Sequence, residues 1–481
     1  MNVIRFVLDF EIFEIDFDNS KFTPTTTLLN FLRSLEGHKG TKEGCAEGDC
    51  GACTVVIGEL CNNQIHYKAV DSCLVFLPSI HGKMVVTVEN LAEIVDNEIV
   101  LHPVQKAMVD KYGSQCGFCT PGFIMSMFAL YKSRNTVDPE GISDALTGNL
   151  CRCTGYLPIK EAAIEACLYR KEDKFDRMEV KLVALLEEIL SEKCPVIIST
   201  QTQSYFRPSR LDDALSFRQN HPNALIVSGS TDVALRVTKK HELLPEILDI
   251  SDVSELNFFK LNENEVEIGA VFPLEQLRKR LSGTFPALEK MLSVFGSRQI
   301  RNVATLGGNI GSASPIGDTL PVLLAFNAEV CVESSNNSRK VPLSDFIIGY
   351  RKTAIRENEL IVKIVISVPD KETILKSYKV SKRKDLDIST CSGAFRLKIN
   401  SGKKVEELIL AFGGMAAYTK RAVQTEAFLM GKIWDEANVT QAAKILESEF
   451  TPLSDARSGA GFRSIAARNL LLKFFEESNS N

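Results

Sequence analysis

Gly44-Cys45-Ala46-Glu47-Gly48-Asp49-Cys50-Gly51-Ala52-Cys53 decides how the first part of this chain folds. It sets three cysteines at C-x4-C-x2-C, and Cys73 follows after nineteen intervening residues. That is the plant-type spacing of four thiolates around a [2Fe-2S] cluster. A glycine stands beside or near every ligand, and the chemistry asks for it. Without a Cβ the backbone can take positive φ and come close enough for its N–H groups to face the sulfurs.

A second set lies further along. Cys116 and Cys119 form C-x2-C, and after thirty-one residues Cys151 and Cys153 follow in Gly148-Asn149-Leu150-Cys151-Arg152-Cys153-Thr154-Gly155-Tyr156. Eight of the thirteen cysteines are thereby placed in two groups of four. Thiolates suit iron–sulfur clusters, zinc or Cu(I). A structural zinc site usually pairs two C-x2–4-C knuckles, which neither set does, so zinc remains the open but less favoured alternative. Disulfides are disfavoured by the size of the chain and by the lack of a secretory apolar run at its start. Cys61, Cys167, Cys194, Cys331 and Cys391 show no ligand spacing and are expected as small buried hydrophobes.

A length of 481 residues exceeds one core and suggests three or four domains. Net charge is −5 with both signs interspersed, and no basic stripe with interleaved aromatics appears, so nucleic acid is not an expected partner. No stretch reaches the roughly 20 apolar residues of a membrane span, and the reading is a cytoplasmic protein without membrane attachment.

The expected class is α+β multidomain. Residues 1–90 read as a ferredoxin-like β-grasp domain, with alternation around Ile4, Phe6 and Leu8, a helix at Leu28–Leu32, and strands at Thr54–Ile57 and Met84–Val88. Residues 91–168 read as an all-α four-helix [2Fe-2S] domain. Ile124, Met127, Phe128 and Tyr131 recur at helical spacing just after Cys119, which puts that thiolate at a helix start, where N–H groups and the dipole favour negative charge. Residues 169–203 read as an interdomain linker, usually solvated, with a short apolar helix near Leu182–Leu190. Two further α+β domains over 204–370 and 371–481 complete the division.

Two small-residue turns motivate the flavin. One is Ile226-Val227-Ser228-Gly229-Ser230-Thr231-Asp232-Val233, leaving a strand and entering a helix; the other runs from Val303 to Asp318 through Thr305-Leu306-Gly307-Gly308-Asn309. Such turns expose main-chain N–H groups and hydroxyls that can cradle a pyrophosphate. Neither matches a dinucleotide or Walker motif, and each alone reads as an ordinary tight turn. Together, downstream of two cluster motifs, they point to a flavin, which handles both one and two electrons.

Gly-Cys-x-Glu-Gly-Asp-Cys-Gly-Ala-Cys at 44–53, Gln-Cys-Gly-Phe-Cys-Thr-Pro-Gly at 115–122, Gly-Asn-Leu-Cys-Arg-Cys-Thr-Gly-Tyr at 148–156 and Leu-Gly-Gly-Asn…Ser-Pro-Ile-Gly-Asp at 306–318 occur in this order. In these the chain resembles the small subunits of bacterial xanthine dehydrogenases, in the molybdenum hydroxylase family, over essentially its full length. The resemblance implies two [2Fe-2S] clusters and FAD, held by Cys45, Cys50, Cys53 and Cys73 nearer the flavin and by Cys116, Cys119, Cys151 and Cys153 nearer the pterin. It places FAD contacts at Ile226, Val227, Ser228, Gly229, Ser230, Thr231, Asp232, Val233, Phe295, Thr305, Leu306, Gly307, Gly308, Asn309, Asp318 and Lys379. It implies that the α+β domain over 204–370 is an FAD-binding domain and that over 371–481 a C-terminal flavoprotein domain. It implies NAD as acceptor and a large molybdopterin-binding partner, in a heterotetramer of two small and two large subunits. Molybdopterin and the hydroxylating residues belong to that partner, so no catalytic residue is expected here. Relatives acting on an aldehyde, an N-heterocycle or carbon monoxide remain open alternatives. The N-terminal hairpin departs from the family in lacking an Asn-Gly turn.

Overall fold

The computed structural model describes residues 2–133, 138–191 and 194–479. The chain divides into two compact units, Met1–Arg210 with Asn223–Asp252 and Ser297–Ala304, and Leu211–Pro222 with Val253–Gly296 and Thr305–Asn481.

In the first unit five strands form a sheet in the order Glu11–Asp16, Val3–Leu8, Met84–Val86, Thr54–Cys61, Gln64–Asp71. Val3–Leu8 and Met84–Val86 run parallel, and the other pairs are antiparallel. Its central strands read as continuous apolar runs because both faces are covered. Ile4, Phe6, Leu8, Val55, Ile57 and Val85 share a core with the helix Leu28–Ser34. Their neighbours Val7, Val56, Met84 and Val86 share another with Phe123, Met127 and Phe128 of the helical segment. That segment holds Pro103–Asp110, Thr120–Lys132, Pro139–Leu146 and Leu157–Leu168. Each has a proline in its first turn, where a missing N–H leaves no intrahelical bond unmade. The expected β-grasp and four-helix layers are both present.

The 169–203 stretch differs from a solvated linker. It forms the helix Lys174–Arg177 and, where an apolar helix is expected, Glu179–Leu190; what differs is burial, since Phe175, Leu182, Leu186 and Ile189 lie in the core of the first unit; residues 192–193 lie outside the described residues. The charged run before it misled the reading, because Asp173 is not solvated. Its side chain is 1% exposed and bonds Lys132 Nζ at 3.1 Å and His102 Nε2 at 3.1 Å. Burial opposes its charge, but His102 and Lys132 hold its carboxyl far below the usual carboxylate range.

At the hairpin tip Asp9 and Phe10 take φ of 52° and 66°, completing without Asn-Gly a turn that needs two left-handed residues. Asp9 is anchored by Asn90 Nδ2 and by His38 Nε2 at 2.9 Å, and Phe10 packs tilted against Phe175 at 5.3 Å between centroids. Asp9 raises the His38 pKa, and His38 in turn lowers that of Asp9. The histidine's contribution is full below its ordinary value of about 6.5 and is lost as pH rises through the raised value. The aspartate's is full above about 4 and is lost as pH falls through the lowered value. Half of the carboxylate is exposed and screened, so the effect is local. Intrinsic-rate-corrected amide protection at Asp9–Phe10 is expected to be greater at pH 6 than at pH 8.5. His38→Gln should abolish the difference; protection independent of pH in the unsubstituted chain would refute the linkage.

A second sheet of this unit runs Leu225–Val227, Glu246–Asp249, Ser204–Arg207, Val196–Ser199, the first three parallel and the last antiparallel. The second unit has an antiparallel sheet in the order Phe259–Leu261, Glu265–Gly269, Leu360–Ser367, Glu329–Ser334, Asn337–Pro342. It also has a four-stranded sheet from Ile374–Val380 through Cys391–Ile399 and Val405–Gly413 to Lys420–Arg421. The helices Glu436–Glu449 and Ala460–Asn479 cover it through Val439, Leu446, Leu471 and Phe474 against Phe395, Leu410 and Phe412. The α+β class therefore holds in both units. Among the described residues no helix is long and apolar enough to cross a membrane.

Candidate cofactor sites

Cys45, Cys50 and Cys53 lie on a loop that enters the strand Thr54–Cys61, with Cys73 on the turn after the paired strand Gln64–Asp71. Gly48 and Gly51 take φ of +74° and +69°, and a Cβ on Gly44 would come within 2.7 Å of Cys50 Sγ. The loop coils around Cys45, whose Sγ accepts N–H bonds from Glu47 at 3.4 Å, Asp49 at 3.3 Å and Cys50 at 3.4 Å. The sulfurs stand two and two, Cys45 with Cys50 and Cys53 with Cys73. Bonding to Cys50, reinforced by the three N–H groups, lowers the Cys45 thiol to about 5, while Cys50 is pushed up by Cys45. Cys53 is raised by Cys73 and by burial.

The second set repeats the arrangement. Cys119 is the residue before the helix Thr120–Lys132, and Cys151 and Cys153 sit on the turn between Pro139–Leu146 and Leu157–Leu168, as the spacing suggested. Cys116 pairs with Cys153 and Cys119 with Cys151, and Cys116 is within electrostatic reach of Cys119 and Cys151. The Phe118 N–H and then Cys153 lower the Cys116 thiol, and Cys116 raises Cys153. Burial, then Cys151, pushes Cys119 up to about 12. Burial also opposes the charge on Cys151, but the Thr154 hydroxyl, 3.2 Å from its sulfur, brings it down. Tyr156, at φ of 71°, turns its phenol oxygen to accept the Cys151 N–H at 3.1 Å.

A single tetrahedral ion draws four sulfurs to one point, whereas a two-iron cluster takes two thiolates on each iron. Among the described residues no group of three or more His, Cys, Asp or Glu is already drawn together around one point, while within each set the thiols interact, Cys45 with Cys50, Cys53 with Cys73, Cys116 with Cys153 and Cys119 with Cys151. Each set can supply four soft anionic ligands once their protons leave. Of the other cysteines, Cys331 and Cys391 are buried as expected, but Cys61 and Cys194 are exposed.

Of the flavin candidates, Ile226 to Val233 lie in the first unit, between the strand Leu225–Val227 and the helix Ala234–Thr238. Gly229 has φ of +79°, and a Cβ there would stand 1.9 Å from Val303 O. Ser230, strained at φ of 54°, gives its hydroxyl to Leu74 O, and Lys239 Nζ donates to Cys45 O at 3.0 Å. This turn is thereby fastened to both segments that carry the first cysteine set.

Phe295, Thr305 to Asn309, Asp318 and Lys379 lie in the second unit. What reads as one long turn over 303–318 contains the helix Leu306–Ser312, which Thr305 caps by accepting the Gly308 N–H at 3.1 Å. Helix geometry is tolerated despite its glycines because Gly307 packs on Ala270, whose carbonyl accepts its N–H at 3.1 Å; a Cβ would come within 2.6 Å of that oxygen. Lys379 Nζ pairs with Asp318 Oδ2 at 2.9 Å and donates to Val294 O at 2.8 Å, so Lys379, Asp318 and the chain at Phe295 converge. Ser389 also donates to Asp318. Sequence reasoning missed Ser389, Ser230's partner and Lys239, none of which carries a motif.

Residues 87–164 match the family model described as "[2Fe-2S] binding domain". Residues 199–369 match "FAD binding domain in molybdopterin dehydrogenase", and residues 376–478 match "CO dehydrogenase flavoprotein C-terminal domain". Xanthine dehydrogenase 1 of Arabidopsis thaliana is 32% identical over 93% of this chain and 38% of its own length. Xanthine dehydrogenase/oxidase of Gallus gallus is 31% identical over 98% of this chain and 40% of its own. The chain thus spans about two fifths of these relatives. A solved carbon monoxide dehydrogenase from Hydrogenophaga pseudoflava superposes with a TM-score of 0.53 at 24% identity, over 57% of this chain and 96% of that one, a likeness of fold. The chain therefore belongs to the molybdenum hydroxylase family, as its iron–sulfur and FAD-binding part.

Proposed function

We propose that this chain carries electrons from a molybdopterin-bearing partner, through two [2Fe-2S] clusters, to FAD and on to NAD, as part of a xanthine dehydrogenase. The observation that carries the reading is the placement of both cysteine sets by the fold, Cys45, Cys50 and Cys53 on one loop with Cys73 on the turn after the paired strand, and Cys119 at a helix start with Cys151 and Cys153 on the turn between two helices. Cys45, Cys50, Cys53 and Cys73 would hold one cluster, and Cys116, Cys119, Cys151 and Cys153 the other. Residues 226–233, Phe295, 305–309, Asp318 and Lys379 would hold FAD. The domain division is 1–90, 91–168, a connecting stretch at 169–203, 204–370 and 371–481. The named xanthine dehydrogenases, similar over nearly all of this chain, support the purine assignment. The partner would be a large subunit, two of each forming a heterotetramer.

When bound, the clusters pass single electrons and the flavin exchanges two with NAD. This chain's own part is to hold thiolates, supply N–H groups to Cys45 Sγ and orient the flavin. Anaerobic NADH should bleach the visible absorption of the isolated chain, and xanthine should drive NADH formation once the partner is co-purified. Absence of both would contradict the reading.

Lys379→Met removes the cation beside Asp318 and the donor to Val294 O, while the cysteine loops of the other unit are untouched. Flavin per chain is expected to fall severalfold with iron unchanged, measured by flavin fluorescence after acid release and by iron assay. Unchanged flavin would remove Lys379 from the site.

A further inference from the structure

A layer of polar side chains, none a cysteine, lies where the two cysteine segments meet in the first unit. Gln299 is fully buried on the short helix Arg298–Arg301. Its Nε2 faces three oxygens, Asn149 Oδ1 at 3.2 Å, Ser126 Oγ at 3.2 Å and Thr54 Oγ1 at 3.4 Å. Asn149 Nδ2 donates to Gly51 O at 3.0 Å and Thr54 Oγ1 at 3.2 Å, while Ser126 donates to Asn149 Oδ1 at 2.6 Å. Gly148 packs close against the Gln299 amide, where a Cβ would stand 2.1 Å from Oε1. One amide thus ties together the loop of the first cysteine set, the helix that follows Cys119 and the segment that leads into Cys151.

Beside this layer Leu150 N donates to Cys50 O at 3.0 Å. Cys50 belongs to the first set, and Leu150 is the covalent neighbour of Cys151 in the second. The path from one ligand residue to the other is therefore covalent except for a single hydrogen bond. Buried polar groups that satisfy one another rigidify what they join, and outer partners of ligands set their orientation.

Resting on the two-cluster reading above, we propose that Gln299 is a positioning residue for electron passage between the two cysteine sets. By pinning Asn149 and Thr54 it holds the Cys50 O···H–N Leu150 bridge. Cys116, Cys119, Cys151 and Cys153 would hold one cluster and Cys45, Cys50, Cys53 and Cys73 the other, and the bridge would lie between them so that the one electron given up by the first would be gained by the second. No proton moves and no other bond is made or broken. The region matched by the FAD-binding family model thereby contributes a residue to the iron–sulfur loops.

Gln299→Met preserves volume and removes every bond the amide makes; Ser126→Ala removes one of its three partners. Both are made in the full chain and compared with it for iron content, for spin–spin splitting between the clusters when both are reduced, and for the rate of transfer between them after flash reduction. With iron unchanged, Gln299→Met should slow transfer at least tenfold and weaken the splitting, and Ser126→Ala should slow it two- to threefold. Should Gln299→Met lose iron, Ser126→Ala decides alone. Wild-type rate and splitting in a fully iron-loaded Gln299→Met, or in Ser126→Ala where that variant decides, overturn the proposal. Only one reduced signal in the unsubstituted chain overturns the two-cluster reading itself.

Discussion

Serine in place of Cys116 is expected to take half of the iron from the chain, from about four atoms to about two, and to erase one of two paramagnetic signals seen on reduction. Cys116 is exposed and pairs with Cys153. Its Phe118 and Cys153 partners favour the thiolate, so the position is suited to a soft metal, and a serine hydroxyl is a hard, weakly acidic substitute. The first set lies on other loops and should keep its iron. Because Cys116 is at the surface, the substitution itself should disturb little packing, and any loss of stability should follow the loss of the cluster. Iron assay and low-temperature paramagnetic resonance check the outcome, and a variant retaining all iron and both signals would contradict the ligand assignment.

Gly51→Ala should have a large effect on folding for a single-methyl change. Gly51 has φ of +69°, and its Cβ would stand 2.1 Å from Gly148 O and 2.5 Å from Asn149 Nδ2. The opposite side is closed too, since Gly122 lies so near that its own Cβ would be 2.2 Å from Gly51 O. A left-handed alanine costs roughly 1–2 kcal/mol and overpacking typically another 1–3 kcal/mol, so a loss of about 2–5 kcal/mol is expected. Both cysteine sets should lose iron, because the clash sits where their segments meet. Gly37→Ala is the control: φ is +88° but nothing lies within 4 Å, so only the backbone cost of about 1–2 kcal/mol remains. Equal denaturation midpoints for the two variants would show that the close approach at Gly51 is not energetically important.

Much of this was legible in the sequence because ligand spacing is a local property. Cys45 to Cys53 stand on the loop before a strand, and Cys119 stands at a helix start, since the apolar periods on either side set those boundaries. The flavin turns were legible as glycine- and serine-rich segments, but Leu306–Ser312 was not legible as a helix. Gly307, Gly308 and Gly311 lower helix propensity, and packing on Ala270 outweighs it. The charges of 169–203 suggested a solvated linker around its apolar helix, yet Lys132 pairs with Asp173, His102 hydrogen-bonds it, and Leu182, Leu186 and Ile189 of that helix are buried. Gln299 gave no signal at all. A buried amide is recognised by the three oxygens around it, and these lie 150 to 245 residues away.

Counting iron, acid-labile sulfide, zinc and FAD in the purified chain, together with resonance spectra after stepwise reduction, tests the central claim most directly. Four iron, four sulfide and one FAD per chain, about one part in ten of error allowed, and two distinguishable signals that titrate separately are the result this structure predicts. Two iron with a single signal, or zinc on either cysteine set, would contradict it.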